Sequence, residues 1–174
     1  MQYFSPTTDA IIANNNTFVY SLDFFIPAGQ QDIPQAVEFD LNVNRGTGNG
    51  KFIFATQCDY QGGVGTGAQR FKWDIWTFAT NSGGSWQATD TPCNHFTTNS
   101  WHHVEWVMQK DETNKQMIYR RLTIDGIPVL TNPVTVPAGS TSAETIAIDI
   151  QMDINANGNP WDEYLDNVNV TALP

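Results

Sequence analysis

The stretch VEFDLNV, residues 37–43, alternates without interruption. Val37, Phe39, Leu41 and Val43 fall on one side, and Glu38, Asp40 and Asn42 fall on the other. Successive side chains of a strand point to opposite faces, so this segment carries one apolar face and one face of carboxylates and an amide. The apolar face belongs to a core. The question is what the other face meets.

Other segments repeat the pattern. AIDIQMDI (147–154) sets Ile148, Ile150, Met152 and Ile154 against Asp149, Gln151 and Asp153. KFIFATQCD (51–59) opposes Phe52, Phe54, Thr56 and Cys58 to Ile53, Ala55, Gln57 and Asp59. HHVEWVMQ (102–109) puts Glu105 and Gln109 opposite Trp106 and Met108, and FKWDIWTF (71–78) has Asp74, Trp76 and Phe78 on one side. Strand-length runs rich in Val, Ile, Phe, Thr and Tyr cover 17–26, 36–43, 51–59, 70–78, 101–109, 118–125, 127–131, 145–154 and 164–173. Gly, Pro, Asn and Asp clusters separate them, and Asp125-Gly126 is a two-residue hairpin signal. Helical periodicity is almost absent, and neither a repeat nor a linker divides the chain. These features predict a single all-β domain over 1–174, a two-sheet antiparallel sandwich or barrel.

Size and composition agree. With 174 residues, 40% hydrophobic and 12% aromatic, the chain can bury a substantial core. Eight Lys plus Arg against 18 Asp plus Glu give a formal charge of −10, which disfavours nucleic acid and anionic membranes as partners. No run reaches membrane-spanning length, so membrane insertion is not expected. MQYFSPTTDA has neither a basic nor an apolar signal region, so any signal peptide is expected to be absent from this sequence. Cys58 and Cys93 lack metal-ligand spacing; they are either two buried thiols or a disulfide. A disulfide implies an oxidising, extracytoplasmic location and stabilises by about 3–4 kcal/mol through loop closure.

A face that merely meets water usually mixes Lys, Thr, Ser and Glu. These faces carry Asp, Glu, Asn and Gln with tryptophans close by. Carboxylates and amides hydrogen-bond vicinal hydroxyls, and an aromatic face stacks on the C–H face of a sugar ring. If the strands are neighbours, Glu38, Asp40, Asn42, Gln57, Asp74, Glu105, Asp149, Gln151 and Asp153 line a surface for a neutral carbohydrate. Trp76 is the expected stacking platform, with Trp86 or Trp161 adding one from a loop.

NSWHHVEWVMQKDETNKQMIYRRLTIDGIPV (99–129) resembles the laminin-G-like and concanavalin A-like lectin/glucanase superfamily, with FVYSLDFFIP (18–27) as an early strand and YLDNVNVTAL (164–173) as the closing one. More narrowly, VEFDLN, ATQCDY, WDIW, TPCNHF, WHHVEW and LDNVNV are similar to a group of secreted bacterial proteins. The resemblance implies a jelly roll whose concave sheet takes sugars, and it favours pairing of Cys58 with Cys93. It also raises a glycoside hydrolase as the alternative to a lectin-like binder. The glucanase branch carries E-x-D-x-E or E-x-D-x-x-E on one strand. Glu38 and Asp40 match its first two positions, but Asn42 stands where the shorter pattern needs its acid and Val43 where the longer one does. Asparagine cannot donate that proton, so Glu105, Asp149 or Asp153 would have to supply it from another strand. The polysaccharide lyases of this fold use a Tyr/His base with basic residues that neutralise uronates, and those motifs are absent.

A third reading is a calcium-binding adhesion or structural module. DINANGNPWDE (153–163) places Asp153, Asn155, Asn157 and Gly158 at the first, third, fifth and sixth positions of a calcium loop, but Tyr164 stands at the twelfth. No cofactor is otherwise required; a structural calcium held by Asp153, Asp162 and Asp166 is the expected exception. His102 and His103 are adjacent, face opposite sides of a strand, and are expected to be structural, one buried and one exposed. Nothing in the sequence bears on oligomeric state.

Overall fold

The computed structural model describes residues 14–30, 34–45, 48, 50–59, 71–78, 83–94, 96–130, 132–140, 144–154 and 160–174. The glycine-rich loops are largely outside these residues, as are Asn155, Asn157 and Gly158 of the calcium-like segment.

Alternation in the sequence becomes alternation in burial. In β1 (Thr17–Phe25), Phe18, Tyr20, Leu22 and Phe24 are all fully buried while the residues between them are partly exposed. In β6 (Trp101–Asp111), His102, Val104, Trp106, Met108 and Lys110 turn inward. With β7 (Gln116–Ile124), β8 (Ile127–Leu130) and β11 (Tyr164–Leu173) these strands form a sheet of order β11-β1-β6-β7-β8, and β9 (Val134–Pro137) pairs with β7. The second sheet has the order β10-β2-β3-β4-β5, built from β10 (Glu144–Ile154), β2 (Pro34–Arg45), β3 (Ile53–Asp59), β4 (Lys72–Thr77) and β5 (Ser85–Pro92). Every pairing is antiparallel.

The sheets pack face to face. Phe24 of β1 meets Phe39 of β2 with ring centroids 5.6 Å apart, and Phe54 of β3 meets Tyr119 of β7 at 5.6 Å. The inward residues of both sheets form one cluster that includes Val37, Leu41, Trp73 and Trp106. The predicted all-β sandwich is therefore the observed architecture, and it is consistent with a jelly roll.

Two local features help to fix strand register, one in each sheet. A disulfide joins Cys58 on β3 to Cys93 beyond β5, with Cα atoms 5.3 Å apart, so it spans β4. Asp125 and Gly126 both take positive φ, 53° and 74°, which is the conformation a type I′ hairpin demands between β7 and β8. Among the described residues no helix is long and apolar enough to cross a membrane.

Candidate functional site

Strand register decides which side chains share a row. In the five-stranded sheet Gln151 of β10 lies opposite Glu38 of β2, Glu38 opposite Gln57 of β3, and Gln57 opposite Asp74 of β4. Four strands thus contribute one continuous row of hydrogen-bonding groups. The next row pairs Asp149 with Asp40 and Asp40 with Ala55, and the one beyond it pairs Ala147 with Asn42. On the other flank Asp153 pairs with Ala36, and Ala36 with Asp59. Trp76 and Trp86 pair across β4 and β5 with ring centroids 5.2 Å apart. All these side chains point away from the core.

Pointing outward does not make them exposed. Glu38 is 6% exposed, Asp40 8%, Gln57 2% and Asp74 0%, so the floor of this face is sunk below its surroundings. Ala55, the cross-strand partner of Asp40, is buried as well. Burial has electrostatic consequences. Loss of water raises Asp40 far above the usual carboxylate range, and the neighbouring Glu38 charge adds to the shift. Glu38 is raised mainly by burial as well, against hydrogen bonds from Gln151 and Asp40 that lower it. Two hydrogen-bonded carboxyls in a dry site share one proton, because both cannot ionise at that distance. Asp40, the more raised of the two, holds it, and Glu38 accepts. Asp74 is pushed up to about 6 by burial and by the Asp59 charge, although Gln57 Nε2 donates to its Oδ2 at 3.1 Å. Burial raises Asp153 too.

The partners of these groups are incomplete. Oδ1 of Asp40 and Oδ1 of Asp74 are buried and have no hydrogen-bond partner among the described residues. Trp76 is held tightly: its ring lies where a Cβ on Gly84 would be, 2.0 Å from its Cζ2, and it contacts Phe78 at 6.1 Å. That close approach is why residue 84 is glycine.

Glu38, Asp40, Asn42, Gln57, Asp74, Trp76, Trp86, Asp149, Gln151 and Asp153 come together on this face. Trp86 stands on a strand rather than on the expected loop. Two residues do not join. Glu105 lies in the six-stranded sheet, between Ser21 and Thr123, where it pairs with Arg121. It cannot supply the missing acid, because the whole sandwich separates it from Glu38. Trp161 is 7% exposed and packs in the core cluster, so it offers no open ring. Sequence reasoning passed over Asp59, which is fully buried on the same face; its place in the alternation of KFIFATQCD was the available signal.

The expected calcium ligands are not assembled. Asp162 is exposed, with its backbone N–H donating to Gln30 Oε1 at 2.7 Å, and Asp166 is exposed on β11, opposite Asp23. Among the described residues no three His, Cys, Asp or Glu side chains are grouped to hold a metal.

Of the adjacent histidines, His102 is buried and His103 exposed. Ser100, His102 and Asp125 imitate a nucleophilic triad, with Oγ 3.4 Å from Nε2 and Nδ1 2.7 Å from Oδ2. The imitation fails chemically. Thr97 O lies 2.6 Å from Nε2, and a carbonyl only accepts, so Nε2 carries a hydrogen and cannot take one from Ser100.

No protein-family model matches the sequence, and no curated protein matches it. Solved structures do. A mutant of alginate lyase Aly36B in complex with an alginate tetrasaccharide superposes with a TM-score of 0.59 at 10% identity, covering 91% of this chain and 70% of that one. The endo-β-1,4-glucuronan lyase of the fungus Trichoderma reesei gives 0.53 at 12% identity, covering 89% and 68%. The likeness is one of fold. At such identity it carries no residue roles across.

Proposed function

We propose that this protein binds a neutral poly- or oligosaccharide on the outer face of the five-stranded sheet, outside the cytoplasm. One observation carries the reading: Gln151, Glu38, Gln57 and Asp74 make an unbroken row across four strands, turned away from the core, in which Glu38, Gln57 and Asp74 are nonetheless buried, with the Trp76–Trp86 pair beside it. A solvated sheet face has no reason to sink carboxyls and leave two of their oxygens without partners, since each costs free energy until something donates or accepts there. Sugar hydroxyls do both. The fold neighbour solved with an alginate tetrasaccharide supports a sugar-chain ligand. Repulsion from the acidic face argues against uronates and for neutral sugars. The Cys58–Cys93 disulfide supports an oxidising compartment.

The test is affinity electrophoresis through gels containing xylan, galactomannan, mixed-linkage glucan or alginate. Retardation by at least one neutral polymer and none by alginate is expected. Trp86→Ala should weaken binding by roughly 10-fold or more, the scale of one lost aromatic contact of about 1.5 kcal/mol. Retardation by alginate alone would refute the neutral-sugar assignment.

A further inference from the structure

The outer face of the six-stranded sheet carries a second constellation, one that the carbohydrate reading does not use. Register sets Trp101 of β6 and Tyr164 of β11 on either side of Phe25 of β1, an aromatic row across three neighbouring strands. The rings touch without stacking. Phe25 and Trp101 are inclined by 48° with centroids 5.5 Å apart, and Phe25 and Tyr164 by 63° at 6.0 Å. Trp101 is 52% exposed and Tyr164 54%, while Phe25 between them is half-buried. Phe25 therefore forms the floor of a shallow trough with the two outer rings as its walls, their backbones two strand spacings apart, about 9.5 Å. Neither pair spends its ring faces on a parallel stack.

The charge beside the trough is negative. The next row on the same face, about 7 Å along the strands, holds Asp166, Asp23 and His103. Asn167 Nδ2 donates to Asp23 Oδ2 and His103 Nδ1 to Oδ1, both at 2.6 Å, and these bonds hold Asp23 below the usual carboxylate range. Neither row contains a Lys or Arg, in a chain whose formal charge is −10. Shape and charge together select a ligand. A sugar ring stacks on one flat aromatic face, whereas faces inclined by 48° and 63° suit a compact, rounded group that meets all three. Aromatic faces attract cations through the ring quadrupole, and a quaternary ammonium group gives up its water easily enough to profit from it. We propose that Phe25, Trp101 and Tyr164 bind a small quaternary ammonium solute of the choline type, drawn in by Asp23 and Asp166. The site lies on the sheet opposite the saccharide face and does not depend on that reading.

The test is an NMR titration of the full chain with choline chloride at constant ionic strength. Its uncharged carbon isostere, dimethylbutanol, has the same shape without the charge and serves as the reference. Saturable shifts centred on the Trp101 indole N–H and the amides of Phe25 and Tyr164 are expected, with a Kd of about 1 mM or tighter. The alcohol should bind at least roughly tenfold more weakly. Trp101→Leu keeps apolar bulk at an exposed position but removes a ring face. Read at the Phe25 and Tyr164 amides, it should weaken choline binding by roughly tenfold or more, and Trp101→Phe by less than about threefold. Equal affinity for choline and the alcohol overturns the proposal, because the trough is then only an apolar patch. Shifts that do not saturate, shifts centred elsewhere, or undiminished binding by Trp101→Leu overturn it as well.

Discussion

A carboxyl oxygen buried without a hydrogen-bond partner raises the affinity of its own group for a proton, and Asp40, Asp74 and Glu163 each hold such an oxygen. Burial pushes Asp74 to about 6 and Glu163 to about 8, and Asp40 rises as well. In the unfolded chain these groups return to the ordinary range near 4. Between the two values the folded state binds more protons than the unfolded one, so stability falls as pH rises. It is complete below about pH 4 and is lost through about 6 for Asp74 and about 8 for Glu163. Denaturant melts should therefore show the greatest stability in mild acid. Glu163→Gln should gain on the order of 1–3 kcal/mol near pH 9 and nothing near pH 4, and a melt that strengthens from pH 5 to pH 8 would contradict this. A second residue-scale prediction concerns Gly84→Ala. A methyl there collides with Trp76, at a cost of about 1–3 kcal/mol, and should shift the tryptophan fluorescence. Neither effect was legible in the sequence, where Gly84 is one of a cluster of small residues between strand-like runs and Glu163 only the last residue of the calcium-like segment.

At the scale of elements, the strongly alternating strands were legible and the irregular ones were not. VEFDLNV and AIDIQMDI each announce an apolar face because one half of their residues must be buried. β5, SWQATDTP, has no such half: it is an edge strand whose alternate residues Ser85, Gln87, Thr89 and Thr91 are all polar, so it carries no apolar period. β9, VTVP, is four residues ending in proline, too short for a pattern. Pairing between β3 and β4 covers only three residue pairs, Thr56–Ile75 to Cys58–Trp73. Past that point the Tyr119 hydroxyl, 2.9 Å from Trp76 O and 3.2 Å from Ala55 O, bridges the two strands from beneath. Tyr119→Phe should cost about 1–2 kcal/mol and speed amide exchange at Trp76 and Thr77. The disulfide braces the opposite end. Replacing Cys58 and Cys93 by serine should lower unfolding free energy by about 3–4 kcal/mol, measured by chemical denaturation.

Taken as a whole, the molecule presents two quite different outer surfaces. The five-stranded sheet shows sunken carboxyls and amides. The six-stranded sheet shows an open aromatic ledge, where Phe25 lies 5.5 Å from Trp101 and 6.0 Å from Tyr164. Alternation predicted the contents of each strand face but not which strands would be neighbours, and Glu105 shows the difference. Its strand alternates as cleanly as that of Glu38, yet topology sends it to the other sheet. Register between distant strands is set by packing and loop connections that no single segment encodes.

That distinction also defines the most direct test of the carbohydrate assignment. Amide chemical shifts would be followed by NMR while titrating an oligosaccharide cut from the neutral polymer that retards the protein most. The account predicts that the perturbed amides gather on β2, β3, β4 and β10 around Glu38, Gln57, Asp74 and Gln151. Perturbations confined to the ledge of Phe25, Trp101 and Tyr164, or spread over both sheets without a centre, would contradict it.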